Sequence, residues 1–455
     1  MSKRIGNSPF IYDDAGIKVL WVSSDDGTIS TLIESYPTVL AIPSGFTGVA
    51  QVGTQLYVGD GVSLAIIDKT LSNVGYRCML PNTNVPSNKY ISSSIKEFAP
   101  DSLVDMSLVY WNGWLSGGAP YENLNTFPTV YRSRIIDANN NILASVTWGG
   151  AATGTAAAGA VITSDVMRLA RPIKKGEAYF IQTTSFSSGG LIYTDACSSA
   201  NSTGTSTDAS GEWFLYSSNT PLAIGDNLAP GSIINPGTFR PCAVLSSTNV
   251  KSLALIGDSR TNGQAAYSCI DGYGIYGDAC NLLGMQFPMI NMAVSGSFLA
   301  NFTAITTPVR KTIGSMCSGI LITGGINDLR AAYGNKNLAA MKTILGVIAS
   351  IFPSVPKFLQ TVYAAPTAST DAWVSDLNQT SDANDAQRIA YNTAIKLLQI
   401  PNYSGYLDVA SYIDSTTNSG HVKGGYTSDG VHANLTANTV LLNAPKSHLV
   451  QLKCG

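Results

Sequence analysis

The spacing of apolar and polar residues changes character once along this chain. Before about residue 250, apolar residues come in short runs such as Leu108-Val109-Tyr110-Trp111 and Thr129-Val130-Tyr131, and over 142–148 and 178–183, with turn residues between them. Short β-branched and aromatic runs at this spacing predict antiparallel strands packed as a sandwich. After Val250 the pattern becomes strand, helix, strand: apolar runs at 252–257, 288–293, 319–323, 357–363 and 406–409 alternate with amphipathic stretches at 270–283, 338–351 and 386–399. Strands that are apolar throughout are buried on both faces, and right-handed helical crossovers between them make a parallel, doubly wound α/β sheet of flavodoxin type.

Three regions follow. Residues 1–85 form a β-rich arm or attachment segment, in which Gln55-Leu56-Tyr57-Val58 runs into the turn Gly59-Asp60-Gly61. Residues 86–248 form the sandwich-like domain, a candidate carbohydrate binder, and 249–455 the α/β domain. Two biased stretches, Gly/Ala/Thr-rich 149–160 and Ser/Thr/Asn-rich 198–211, read as long surface loops.

Composition narrows the function. Hydrophobic residues make up 45% of the 455 positions, enough for more than one core, whereas charged residues make up 12%, about half the usual share. The polar surface is therefore built from Ser, Thr, Asn and Gly, as suits an extracellular or virion protein. A net charge of −2 offers phosphate no basic footprint, which excludes nucleic acid as a partner. No signal-peptide core follows Met1-Ser2-Lys3-Arg4, and the apolar stretch 344–352 is half a membrane span, so no membrane insertion is expected. Seven scattered cysteines without metal-ligand spacing predict buried free thiols, with no metal and no cofactor.

The chemistry lies at the strand ends, where doubly wound sheets bind ligands. The first α/β strand ends in Gly257-Asp258-Ser259-Arg260, and Asp429-Gly430-Val431-His432 lies far downstream. A serine hydroxyl becomes a nucleophile when an imidazole takes its proton and a carboxylate orients that imidazole. Of the three histidines, His421 and His448 lack an acidic residue three positions earlier, which leaves His432 as the base. Taken singly, each feature has a structural alternative: serine caps helices, glycine makes turns, and a lone histidine commonly sits on the surface. Their conjunction within one domain favours catalysis.

Residues ~250–455 resemble the SGNH, or GDSL-type, hydrolase family. Four blocks stand in the family's order: Gly257-Asp258-Ser259, Asn291-Met292-Ala293-Val294-Ser295-Gly296, Gly325-Ile326-Asn327-Asp328 and Asp429-Gly430-Val431-His432. The resemblance implies a catalytic triad of Ser259, Asp429 and His432. It also implies an oxyanion hole made by the N–H groups of Ser259 and Gly296 and the side-chain amide of Asn327. Two positions depart from the pattern. Arg260 replaces a leucine and is expected to meet a polar or acidic part of the substrate; Ala293 replaces a frequent glycine, with consequences for packing. The segment 365–385, with Trp373, is longer than a strand-to-helix connection needs. It reads either as a wall of the substrate site, with Trp373 stacking on a sugar, or as a solvated loop.

No long apolar groove or lid is announced, so the expected substrate is an ester with a small acyl group. Five of the six tryptophans (Trp21, Trp111, Trp114, Trp148, Trp213) lie before residue 250, where core packing is their ordinary role. The whole chain resembles a bacteriophage tail-fibre or tailspike esterase. That likeness implies a carbohydrate O-acetylesterase acting on bacterial surface polysaccharide, with other virion tail proteins as partners, a homotrimer as the usual assembly and the virion as location. The rivals are a non-catalytic adhesin carrying a relic hydrolase domain, and a lipase or thioesterase.

Overall fold

The computed structural model describes residues 71–445, apart from 195–212, 225–238, 264–276 and a few shorter stretches, and the backbone of seven strands before residue 71. Contacts divide the chain between Thr70 and Leu71. In the first unit the strands form a four-stranded and a three-stranded antiparallel sheet, each in chain order.

The second unit holds both an antiparallel sandwich and a parallel sheet. One sandwich sheet runs in the order Ile142–Ser145, Thr129–Asp137, Ala178–Ser187, Tyr90–Phe98, Trp213–Ser217. The other runs Val161–Thr163, Leu103–Trp111, Ala243–Ser246, Ser72–Asn73. Alternate residues of both point inward, and Tyr110 of one sheet stacks on Tyr131 of the other at 4.7 Å between ring centroids. Trp111 and Trp148 are buried and Trp114 is half-buried; Trp21 and Trp213 fall in segments whose side chains lie outside the described residues. The stretch 149–160, expected as a loop, contains a strand, Gly154–Ala156, paired with Thr129–Asp137. Small residues rich in glycine masked its pairing potential. The biased stretch 198–211 lies outside the described residues.

The parallel sheet has six strands: β1 (Cys78–Met79), β2 (Leu253–Ile256), β3 (Met289–Asn291), β4 (Gly319–Ile322), β5 (Lys357–Gln360) and β6 (Gly405–Leu407). Their order is β6-β5-β4-β2-β3-β1, all parallel. The chain leaves β2 to one side for β3 and returns past it for β4, which makes the carboxyl end of β2 the topological switch point. The apolar runs in the sequence are explained by packing on both faces. Leu253 and Leu255 enter one apolar cluster with Leu282, Phe358 and Leu441, while Ala254 and Ile256 enter another with Met341, Leu345 and Ile348. The last three come from the helix Leu338–Ile351, spaced four and three apart on its buried stripe; Asn337 caps it by accepting from the Ala340 N–H. The expected helix at 270–283 is described only as Asp278–Leu283.

Residues 71–81, grouped with the N-terminal arm by the sequence pattern, belong to this second unit. Ser72–Asn73 extends a sandwich sheet and β1 forms the edge of the parallel one. The second apolar cluster also contains Leu108, Tyr110, Ile135 and Val244, so the sandwich and one face of the parallel sheet share a core. Across that junction Glu122 accepts from the Val309 and Arg310 N–H groups at 2.8 and 2.9 Å, starting the helix Pro308–Gly314, and pairs with the Arg310 guanidinium at 3.3 Å. The described cysteines Cys78, Cys242, Cys280 and Cys317 are buried thiols. Among the described residues no helix is long and apolar enough to cross a membrane.

Both side chains of the Glu122–Arg310 pair are almost wholly buried. Replacing Glu122 by Ala therefore leaves an uncompensated charge, and equilibrium urea unfolding is expected to lose roughly 3–5 kcal/mol. A loss below about 1 kcal/mol, the worth of an exposed pair, would show that the junction tolerates opening.

Candidate active site

Past β2, Gly257 passes so close to β4 that a Cβ there would lie 2.2 Å from Thr323 Oγ1. The chain then turns into the short helix Ser259–Asn262, capped by Asp258, whose Oδ1 accepts from the Arg260 N–H at 3.1 Å. As first residue of this helix, Ser259 has an N–H with no intrahelical acceptor. Its Oγ lies 2.7 Å from His432 Nε2, and His432 Nδ1 lies 2.6 Å from Asp429 Oδ2. The structure thus joins Ser259, His432 and Asp429 in one hydrogen-bonded chain.

Asp429 divides its oxygens between two tasks. Oδ2 holds the imidazole, while Oδ1 accepts from the Val431 and His432 N–H groups, both at 2.8 Å, and fixes the turn that presents the ring. Burial raises the affinity of this carboxyl for protons, but the bond from the His432 ring and the two N–H groups outweighs it and holds the group well below the usual carboxylate range. Asp429 is therefore charged throughout the working pH range, as a group that orients an imidazole and stabilises its protonated form must be.

The expected oxyanion donors come from two further strand ends. Gly296 has φ +77° with no atom within 4 Å of an ideal Cβ; it is glycine because of its backbone conformation, not for want of space. The Asn327 amide donates one N–H to Ser297 O at 2.9 Å, which sets the side chain beside the Gly296 loop and leaves a second N–H to donate. Neighbouring Asp328 accepts from the Leu299 and Ala300 N–H groups at 2.8 and 3.2 Å and pins the far side of that loop.

Arg260 is a correction. Expected to meet substrate, it is 4% exposed. It donates to the carbonyls of Val431, Tyr363 and Ala364 at 2.9, 2.8 and 3.0 Å, with its guanidinium 3.5 Å from the Tyr363 ring centroid. A buried guanidinium is held where carbonyls converge on its fork, and three loop carbonyls do so here. Trp373 is half-buried, and its ring abuts the Asp429–His432 turn: a Cβ on Gly430 would lie 2.4 Å from Trp373 Cη2. It sits on a hairpin formed by Ala368–Ser369 and Gln379–Thr380 at φ +71°, after Ala372 at +53°. The Ser369 hydroxyl and the Gly425 N–H hold this unfavourable backbone in place.

Sequence reasoning gave no role to four residues that hold the site. Asp258 also accepts from the Gly325 N–H at 3.2 Å, which ties the β2 and β4 ends together. Asn291 donates to Thr261 O at 2.9 Å, binding the β3 end to the helix Ser259–Asn262. Tyr363 accepts from the Ala433 N–H at 3.1 Å. Buried Asp278 accepts from the Ala279 N–H, the Thr261 hydroxyl and the Gln360 amide. Position within the blocks was the available signal for Asp258 and Asn291; Asp278 and Tyr363 carried none.

No protein-family model matches the chain, and neither does any curated protein. Solved structures that resemble it include a GDSL-like lipase from Bacteroides thetaiotaomicron, at 15% identity over 44% of this chain and 87% of that one, with TM-score 0.29. An acetyl xylan esterase, AlAXEase, shows 18% identity over 42% and 96%, TM-score 0.28. The salicylyl-acyltransferase SsfX3 from a tetracycline biosynthetic pathway shows 11% over 80% and 81%, TM-score 0.28.

Two predictions follow from the buried charges. Arg260→Lys cannot reach three carbonyls with one fork, so urea unfolding should lose roughly 2–4 kcal/mol while KM for a small ester stays unchanged; a raised KM at intact stability would restore the substrate-facing role. Burial, with Asp258 adding to it, pushes the Asp278 carboxyl from 3.8 up to about 6. Its contribution to stability is therefore full at or below the unfolded value and is lost as pH rises through about 6. Urea unfolding of Asp278→Asn across that window should show a flatter pH dependence than wild type, and equal slopes would contradict this assignment.

Proposed function

We propose that this chain is a serine-dependent carboxylic ester hydrolase that removes O-acetyl groups from bacterial surface polysaccharide. One observation carries the catalytic reading: a serine, an imidazole and a carboxylate in hydrogen-bonded sequence, at 2.7 and 2.6 Å, at the switch point of a parallel sheet. His432 Nε2 accepts the Ser259 proton as Oγ attacks the ester carbonyl, and the electron pair of the carbonyl moves to oxygen. Ser259 N–H, Gly296 N–H and the Asn327 amide receive that charge. As the tetrahedral intermediate collapses, the C–O bond to the alcohol breaks and His432 returns the proton to the leaving oxygen. Water, deprotonated by the same imidazole, then attacks the acyl-enzyme; collapse releases acetate and restores Ser259 with its proton.

The polysaccharide part of the proposal is supported by Trp373, an aromatic half exposed beside the catalytic turn, and by the neutral, hydroxyl-rich composition with 12% charged residues. The same composition, with β-rich segments ahead of the hydrolase region, supports placement in a virion tail fibre or tailspike, with other tail proteins as partners in a homotrimer.

Wild type should release p-nitrophenol from p-nitrophenyl acetate faster than from longer acyl esters, react with a fluorophosphonate probe, and liberate acetate from O-acetylated capsule or O-antigen. Ser259→Ala should abolish all three, and Asn327→Ala should lower kcat by about 10²–10³-fold. An Ser259→Ala variant as fast as wild type would refute the assignment; a preference for long acyl chains would move the enzyme to the lipases.

A further inference from the structure

We propose that Gly117, in the turn of the hairpin Gly113–Leu115/Glu122–Leu124, is a positioning residue for the oxyanion hole: the absence of a Cβ there sets the peptide unit that carries the Gly296 N–H. The inference rests on the esterase reading. An ideal Cβ on Gly117 would lie 2.3 Å from Ser295 O and 3.4 Å from Gly296 C. Ser295 C=O and Gly296 N–H belong to one planar trans peptide, with oxygen and hydrogen on opposite sides. Gly117 therefore packs against the back of the plane whose front edge is the expected donor, and a force on the oxygen tilts the N–H by the same angle. Gly296, at φ +77° with open space around it, offers little resistance to such a tilt.

The sandwich side cannot give way instead. Gly117 joins the paired strands Gly113–Leu115 and Glu122–Leu124, and the turn is closed by the Ser116 N–H donating to Tyr121 O at 3.1 Å. At one end Leu115 N–H donates to Pro81 O at 2.7 Å, next to Leu80, whose N–H donates to Asn291 O at 3.1 Å at the end of β3. At the other, Glu122 holds the helix Pro308–Gly314. The turn is thus anchored before and after the loop it presses on. Neighbouring Gly118 provides a control, since an added Cβ there meets nothing within 4 Å.

The test compares Gly117→Ala and Gly118→Ala with wild type in the full chain, measuring kcat and KM on p-nitrophenyl acetate and the Ki of a phenylboronic acid. The boronate forms a tetrahedral adduct on the serine and places an oxygen in the oxyanion hole. Gly117→Ala should lower kcat by about ten-fold or more with KM unchanged, and Ki should rise by the factor by which kcat/KM falls. Gly118→Ala should match wild type. A purely structural role would reduce the active fraction without moving Ki. If Gly117→Ala does not fold, Ser116→Ala, which removes the hydroxyl accepting from the Gly118 N–H at 3.3 Å, should show a smaller change in the same two parameters. Unchanged kcat and Ki in the folded variant, with wild type active, overturn the inference alone; a wild type inert to ester and fluorophosphonate overturns the esterase reading and the inference with it.

Discussion

One buried guanidinium holds the two halves of the site in register. Ser259 and His432 are 173 positions apart, and no covalent or local constraint brings them together. Arg260, next to Ser259, donates to Val431, next to His432, and to Tyr363 and Ala364 past the end of β5. Beneath it, Tyr363 stacks on the guanidinium and accepts from Ala433, on the other side of His432. The imidazole is thus gripped from both flanking residues. Such a contact is strong because it is dry: buried carbonyls without donors cost free energy, and a planar fork satisfies three of them at once.

The features legible in the sequence were those with a local signature. A 3.6-residue period located the helix Leu338–Ile351, and runs buried on both faces located β2 and β4, because each pattern is a direct record of which sides of an element meet apolar neighbours. Asp429 three positions before His432 was legible for the same reason, since the turn that joins them is built from their own backbone. Arg260 was misread because residue type does not reveal direction: the same side chain suits a substrate carboxylate or a ring of loop carbonyls, and only the fold says which is nearer. β1 was missed because two residues, Cys78-Met79, are too short to show a period. Gly117 was invisible for a different cause, as a glycine set by another segment's backbone looks in sequence like any turn glycine.

The site is built around carboxylates that donate nothing to catalysis directly. Asp258 and Asp328 each accept two backbone N–H groups, and through them the β2, β3 and β4 ends, which carry the expected oxyanion donors, are locked to one another. The cost is negative charge beside a position where negative charge must develop. Burial raises both carboxyls, Asp328 to about 6, and Asp258 adds to the rise of Asp328. The Arg260 charge offsets part of this at Asp258 and Asp278. These carboxylates thus oppose the charge that the proposed oxyanion would carry, so the arrangement gains from donor alignment more than it loses in field only if every donor is well aimed. The role proposed for Gly117 answers that condition, because its backbone packs against the peptide that carries the Gly296 N–H.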